Sequence, residues 1–344
     1  MKRLLAATCA LALPLALGVP LAAQEANEGA PSPNQIVDSA QQAEWIRIAA
    51  EDLLVMTLAP DAEGNARGVV IQLMPAPFSQ GWVSNIRTLA RAGWYDGISV
   101  NRVQDNYVVQ WGDPNYDNPE ASGEAKALPD GLKVMRESDY VQSEIAWDLD
   151  AFAERLAKDL PNLAASTFTS NVRRSTRSDP YAEGNFLDKG WPIAGNSKEG
   201  QSWPVHCYGM VGVGRGYSPD TGSGAELYTV IGHAPRHLDR NIALVGRIIA
   251  GMEHLSSLPR GKGALGFYAE DELEKRTPIL SIRVASDLPD EDQPAFEYLS
   301  TESDTLAKYT EARANRRDPF FITPAGGADI CNIPVPIRPV AAAE

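Results

Sequence analysis

Arg102 and Gln110 stand in runs otherwise built of Ile, Val, Tyr and Trp, within AGWYDGISVNRVQDNYVVQWGDP, residues 92–114. A long polar side chain among apolar neighbours needs partners, and an arginine cannot shed its charge to escape the cost. What it offers chemically is a fixed fork of N–H donors that stays charged, suited to steadying electron density that develops at one atom. Other chemistry is poorly supported. His233 and His237 are four apart with Asp239 near, but Pro235 argues against the helix that would align them on a metal. Gly212, Gly214 and Gly216 are followed by Tyr217-Ser218-Pro219-Asp220 rather than a helix start, which excludes a phosphate loop. No Gly-x-Ser-x-Gly, paired-carboxylate or metal motif occurs, so an acidic hydrolase has no support. His206 and His254 stand alone and read as structural.

The elements that must hold Arg102 and Gln110 are two short strands, 98–103 and 107–111, around the turn Gln104-Asp105-Asn106. Residues 53–58 and 69–74 read as a further strand pair around the turn at 60–65. Ser79 is a cap for a helix to about Ala92, with Trp82, Ile86, Leu89 and Ala90 on one apolar face. Residues 24–42 are polar, carry two prolines and lack an apolar period, so they read as a linker, with structure starting near Glu44. Residues 114–131 form a Pro/Gly/Asn-rich loop, 145–160 have helical spacing stopped by Pro161, and 166–178 are rich in Ser, Thr and Arg. Beyond Pro259, a strand is expected at 279–284, a helix over 293–316 and an extended tail at 333–339.

Tyr95-Asp96-Gly97, Asn101-Arg102-Val103 and Tyr107-Val108-Val109-Gln110-Trp111-Gly112-Asp113 resemble the central signature of the cyclophilins, the peptidyl-prolyl cis-trans isomerases. A second block resembles the same family: 209–215, then Gly224-Ala225-Glu226-Leu227-Tyr228, Leu238-Asp239 and 245–252. The resemblance implies a mainly β fold, a closed eight-stranded antiparallel β-barrel capped by two helices. The cyclophilin-like domain would run over 43–258, interrupted by a helical insertion at 114–203, with 259–344 an extension packed on the barrel. It implies that Arg102 is catalytic, that Tyr107, Val108 and Ile242 border a pocket for the proline ring, and that Gln110 and Gly214 bind substrate backbone. Glu226 and Tyr228 match further substrate-binding positions if one residue is inserted before His237, and Leu227 and Thr229 match without it; the first alignment is preferred. Leu238 lines the pocket either way. No cofactor or metal is required. The family's pocket histidine, phenylalanine, methionine and tryptophan stand here as Ile242, Tyr107, Val108 and His237, which leaves a second reading open: a catalytically weak module that binds proline-containing segments of a partner.

Composition sets the setting. Charged residues make up 22% and hydrophobic residues 44%, ordinary for a soluble globular protein. The net charge is −14, so nucleic acid and anionic lipid are poor partners for a chain with no basic patch. Lys2 and Arg3 precede an apolar run from Leu4 to Leu21 broken by Pro14, Gly18 and Pro20, the layout of a secretory signal cleaved after Ala23. Its removal, with two basic residues and no acid, leaves 29 basic against 45 acidic side chains and no membrane span. Cys9 would leave with it, and Cys207 and Cys331 remain as a disulfide or as two buried thiols; an oxidising compartment favours the bridge. The resulting expectation is a periplasmic isomerase that acts on proline-containing segments of exported proteins.

Overall fold

The computed structural model of the chain describes residues 29–116, 121–143 and 179–340. The signal segment with Cys9, the helix expected at 145–160 and the stretch 166–178 lie outside these residues. The described chain opens with α1 (Pro33–Asp38), inside the segment expected to be a linker. Its start is a capping box: the Ser32 side chain accepts from the Gln35 N–H and the Gln35 side chain accepts from the Ser32 N–H, with Pro33 in the first turn. Such a short helix does not hold itself together. It persists because Ile36 is buried in a small core with Trp45, Leu299, Leu306 and Tyr309.

β1 (Trp45–Arg47) leads to β2 (Leu53–Leu58) and β3 (Arg67–Leu73), paired antiparallel from Leu53 opposite Gln72 to Leu58 opposite Arg67. α2 (Gln80–Arg91) follows, burying Trp82, Val83, Ile86, Leu89 and Ala90 as its spacing predicts. Ser79 precedes it in a left-handed conformation, φ 55°, and its side chain makes no capping bond. Instead the Gln80 Nε2 donates to the Met74 and Phe78 carbonyls at 3.0 and 2.8 Å. β4 (Ser99–Val103) and β5 (Val108–Gly112) form the expected hairpin.

The described end of the insertion is β rather than helical: β6 (Gly184–Asp188), β7 (Trp191–Asn196) and β8 (Gln201–Pro204) form a three-stranded sheet of their own. Trp191, Ile193, Ala194 and Trp203 in it are buried against the main core. Alternation was hidden because the strands carry apolar residues on both faces.

β9 (Met210–Val213), β10 (Leu227–Val230) and β11 (Leu244–Ala250) return to the main sheet. The second cap, α3 (Glu253–Ser256), is a single turn. β12 (Ile279–Val284) then pairs with β2, giving an eight-stranded antiparallel sheet in the order β12-β2-β3-β11-β9-β10-β5-β4. Backbone bonds from Gly97 to Ile279, Ile279 to Ile98 and Val100 to Thr277 join its two edges at one end, so that the sheet is nearly closed into a barrel. The last strand of this sheet, β12, comes after residue 258, the expected end of the domain.

β13 (Phe296–Leu299), α4 (Asp304–Ala314) and β14 (Ile337–Pro339) complete the chain. β13 lies between β1 and β14, so the stretch expected to be one helix over 293–316 begins as a strand. The N-terminal arm and the C-terminal extension thus share one small core beside the barrel. The extension is also tied covalently, since Cys207 and Cys331 form a disulfide. Among the described residues no helix is long and apolar enough to cross a membrane.

Candidate active site

The β4–β5 hairpin sets Arg102 opposite Gln110, next to a bulge between Val100 and Arg102. Such an irregularity turns a strand locally and re-aims a side chain. The Arg102 Nη1 donates to the Gln110 Oε1 at 3.1 Å, its Nε to the Leu265 carbonyl at 2.7 Å, and its Nη2 to the Gln104 Oε1. The guanidinium also lies 5.5 Å from the Tyr107 ring centre and 5.6 Å from that of Phe267. No carboxylate pairs with it among the described residues. Burial depresses its pKa from the ordinary arginine value, with Tyr107 and Tyr228 acting the other way.

A cavity of about 880 Å³ opens beside this guanidinium on the outer face of the barrel. Tyr107, Val108, Gln110, Gly214, Tyr228, Leu238 and Ile242 all line it, so one surface gathers Arg102 and seven of the eight expected substrate-binding residues. Its floor is a separate apolar cluster of Val108, Tyr228 and Val230, with Tyr107, Leu238 and Ile242 packed against it. The two-residue period of a strand explains the division: Tyr228 and Val230 of β10 face this cluster, while Leu227 faces the barrel core. Tyr228 rather than Thr229 therefore reaches the cavity.

Glu226 does not line it. It is buried, with its carboxylate over Gly112, where an added methyl would lie 1.8 Å from the Oε1. Its carbonyl accepts the Gly214 N–H at 2.8 Å, so its contribution here is to place Gly214.

The remaining wall is one that sequence reasoning missed: Ala121, Arg215, Gly216 and Tyr217 on one side, Leu265 and Phe267 on the other. Among the described residues Arg215 donates to carbonyls, from Nε and Nη2 to Asn241 and from Nη1 to Gly216. Leu265 and Phe267 follow the expected end of the domain, and no local pattern marks them. Their signal was the family-like strand order itself, since closing the barrel brings the segment before β12 alongside β4. The cavity presents two guanidinium groups and, among the described residues, no carboxylate. Burial pushes the Tyr107 phenol up although Arg102 pulls it down, and burial pushes Tyr228 well above the ordinary phenol value, so both rings stay neutral near pH 7.

Tyr228 needs the bare backbone opposite it. Its partner on β9 is Gly212, and a methyl there would sit 2.3 Å from the Tyr228 Oη. Gly212→Ala is therefore expected to unseat the ring and destabilise the fold by roughly 1–3 kcal/mol, the usual cost of overpacking. Urea unfolding read by fluorescence checks it, and an unchanged midpoint would show that the ring adapts freely. His237, considered above as a metal ligand, instead stacks on Tyr107 with centroids 6.2 Å apart.

Comparison with known proteins bears on this arrangement. No curated protein sequence matches the chain significantly. Among solved structures, the cyclophilin AquaCyp293 from Hirschia baltica aligns over 88% of this chain and 97% of its own, at 19% identity and a TM-score of 0.56. That likeness shows a shared fold. A cyclophilin type peptidyl-prolyl cis-trans isomerase from Cryptosporidium parvum covers 67% of this chain and 96% of its own at 12% identity, with a TM-score of 0.35 that is too low to bear on the fold. The family model described as "Cyclophilin type peptidyl-prolyl cis-trans isomerase/CLD" matches residues 69–284, from β3 through the closing strand β12. A match over more than half of the chain, on a barrel of this strand order, means that the chain belongs to the cyclophilin-type peptidyl-prolyl cis-trans isomerase family.

Proposed function

We propose that the protein speeds cis-trans rotation about X-Pro bonds in exported proteins, working in the periplasm once its N-terminal signal is removed. The observation that carries this reading is the Arg102 guanidinium, unpaired with any carboxylate among the described residues, at the edge of an apolar pocket. The barrier to rotation, about 18–20 kcal/mol, comes from delocalisation of the nitrogen lone pair into the carbonyl. As the bond twists, the pair returns to nitrogen. With the proline ring seated on Val108, Tyr228 and Ile242, an N–H of Arg102 beside that nitrogen gains strength only at the top of the barrier, and so lowers it. Gln110 orients the guanidinium from the neighbouring strand, and Gly214 leaves its edge open to substrate backbone. Rotation makes and breaks no covalent bond, so neither nucleophile nor cofactor enters.

A second reading has one observation in its favour. The Arg102 Nε and Nη2 already donate to Leu265 and Gln104, and a fork held this way suits a module that grips proline-containing segments without turning them over. One experiment separates the two. Residues 24–344 are assayed on a panel of X-Pro peptides by NMR exchange between the cis and trans signals. Exchange at substoichiometric protein supports rotation; line broadening from binding with no added exchange supports the module.

A further inference from the structure

Tyr228 is tied from behind. Its Oη lies 3.0 Å from the His206 Nε2, and the two rings are nearly parallel, 14° apart. The His206 Nδ1 is 2.9 Å from the Asp239 Oδ1, which also accepts the His206 backbone N–H at 3.0 Å. The other Asp239 oxygen accepts from the Arg236 Nε at 2.7 Å, and the Arg236 Nη2 donates to Asp179, just ahead of β6, at 2.8 Å. Tyr228, His206, Asp239 and Arg236 are exposed by 4%, 1%, 5% and 3%, so the chain is closed to water.

The partners fix the proton's place. Burial pushes the Asp239 carboxyl up, but His206 and Arg236 outweigh burial and hold it below the ordinary carboxylate value. An ionised carboxylate only accepts, so the His206 Nδ1 presents its N–H to Asp239. The Nε2 and the Tyr228 hydroxyl share the second hydrogen bond. A phenylalanine would floor the pocket with the same apolar face. The hydroxyl adds nothing to that face, and buried without a partner it would destabilise the fold. Tied, it holds the ring in one place before substrate arrives, so ordering is not required at each encounter.

We propose that His206 is a positioning residue for the isomerase site: oriented by Asp239, it holds the Tyr228 ring at the floor of the proline pocket. This rests on the rotation reading above and goes beyond it, since His206 touches no substrate.

The test compares His206→Gln with His206→Asn in the full chain. Glutamine places its amide near the Nε2 and keeps a hydrogen-bond partner for Tyr228; asparagine keeps a donor to Asp239 and loses the tie. If position matters, the Asn variant and Tyr228→Phe lose about five- to tenfold in turnover at saturating peptide, while the Gln variant stays within about twofold. The double variant Tyr228→Phe with His206→Asn is then no slower than either single change. Melting temperatures of the Gln and Asn variants, measured alongside, are expected to be alike. Equal turnover losses in the Gln and Asn variants, or full turnover in Tyr228→Phe, overturn the proposal. Should the wild-type chain bind peptide without turning it over, the rotation reading falls. The same ranking is then expected in peptide dissociation constants, and equal affinities across the series overturn the positioning role.

Discussion

Arg102→Ala is expected to lower kcat/KM for X-Pro peptides by about ten- to a hundredfold, which is about 1.4–2.8 kcal/mol of transition-state stabilisation. The figure follows from removing one charge-assisted donor, worth roughly 1.5–3 kcal/mol where water is partly excluded. Ground-state binding should change little, because the pocket floor of Val108, Tyr228 and Ile242 is untouched. Stability should also change little. Of the acceptors that Arg102 leaves behind, Leu265 and Gln110 line the cavity and Gln104 is half-buried, so water can replace the guanidinium. Arg102→Lys keeps the charge but loses the planar fork, and is expected to fall between wild type and alanine. The measurement is NMR exchange on one peptide with wild type and both variants, with melting temperatures as controls. A wild type that isomerises and an alanine variant that matches it would remove Arg102 from the mechanism.

The second large effect concerns the disulfide. Cys207 and Cys331 are 124 residues apart in sequence, and linking them removes loop entropy from the unfolded chain. The double change Cys207→Ser, Cys331→Ser is therefore expected to lower the free energy of unfolding by about 5 kcal/mol in the chain-entropy model. The bridge also holds the turn at Ile330–Asn332 beside His206, whose carbonyl lies 3.8 Å from the Cys331 sulfur. Losing it frees the extension that carries α4 and β14. Urea unfolding with and without reductant provides the check. Wild type should fall to the level of the double variant when reduced, and the double variant should not respond. A wild type insensitive to reductant, with its thiols shown to be free after treatment, would show that packing in the small core suffices.

Sequence patterning located the centre of the site because its main signal is local. Arg102 and Gln110 sit eight residues apart on paired strands, so one hairpin supplies both the donor and its support. Apolar periodicity and two blocks with the family's order of glycines and apolar residues also located seven of the eight strands of the main sheet and the helix α2, since period and side-chain type report which face is buried; β12 was read as a strand of the extension. The sequence left Cys207 and Cys331 as the expected pair with two buried thiols as the alternative, and the structure joins them.

Other features were settled only when distant segments met. Arg102 and Leu265 are 163 residues apart, and nothing near either residue announces the other. His206 looked isolated in sequence, yet its ring joins Tyr228 to Asp239, residues on two different later segments. α1 forms in a stretch with too few apolar residues to suggest order, because Ile36 finds Leu306 and Tyr309 of the C-terminal extension. The physical reason is common to all three. Periodicity encodes that a side chain must be buried, but its partner is chosen by barrel closure and chain return, so the sequence alone pointed to the family, most of the barrel strands and Arg102, while the tertiary structure decided which strand joins the barrel's edges, the walls of the pocket and what holds its floor.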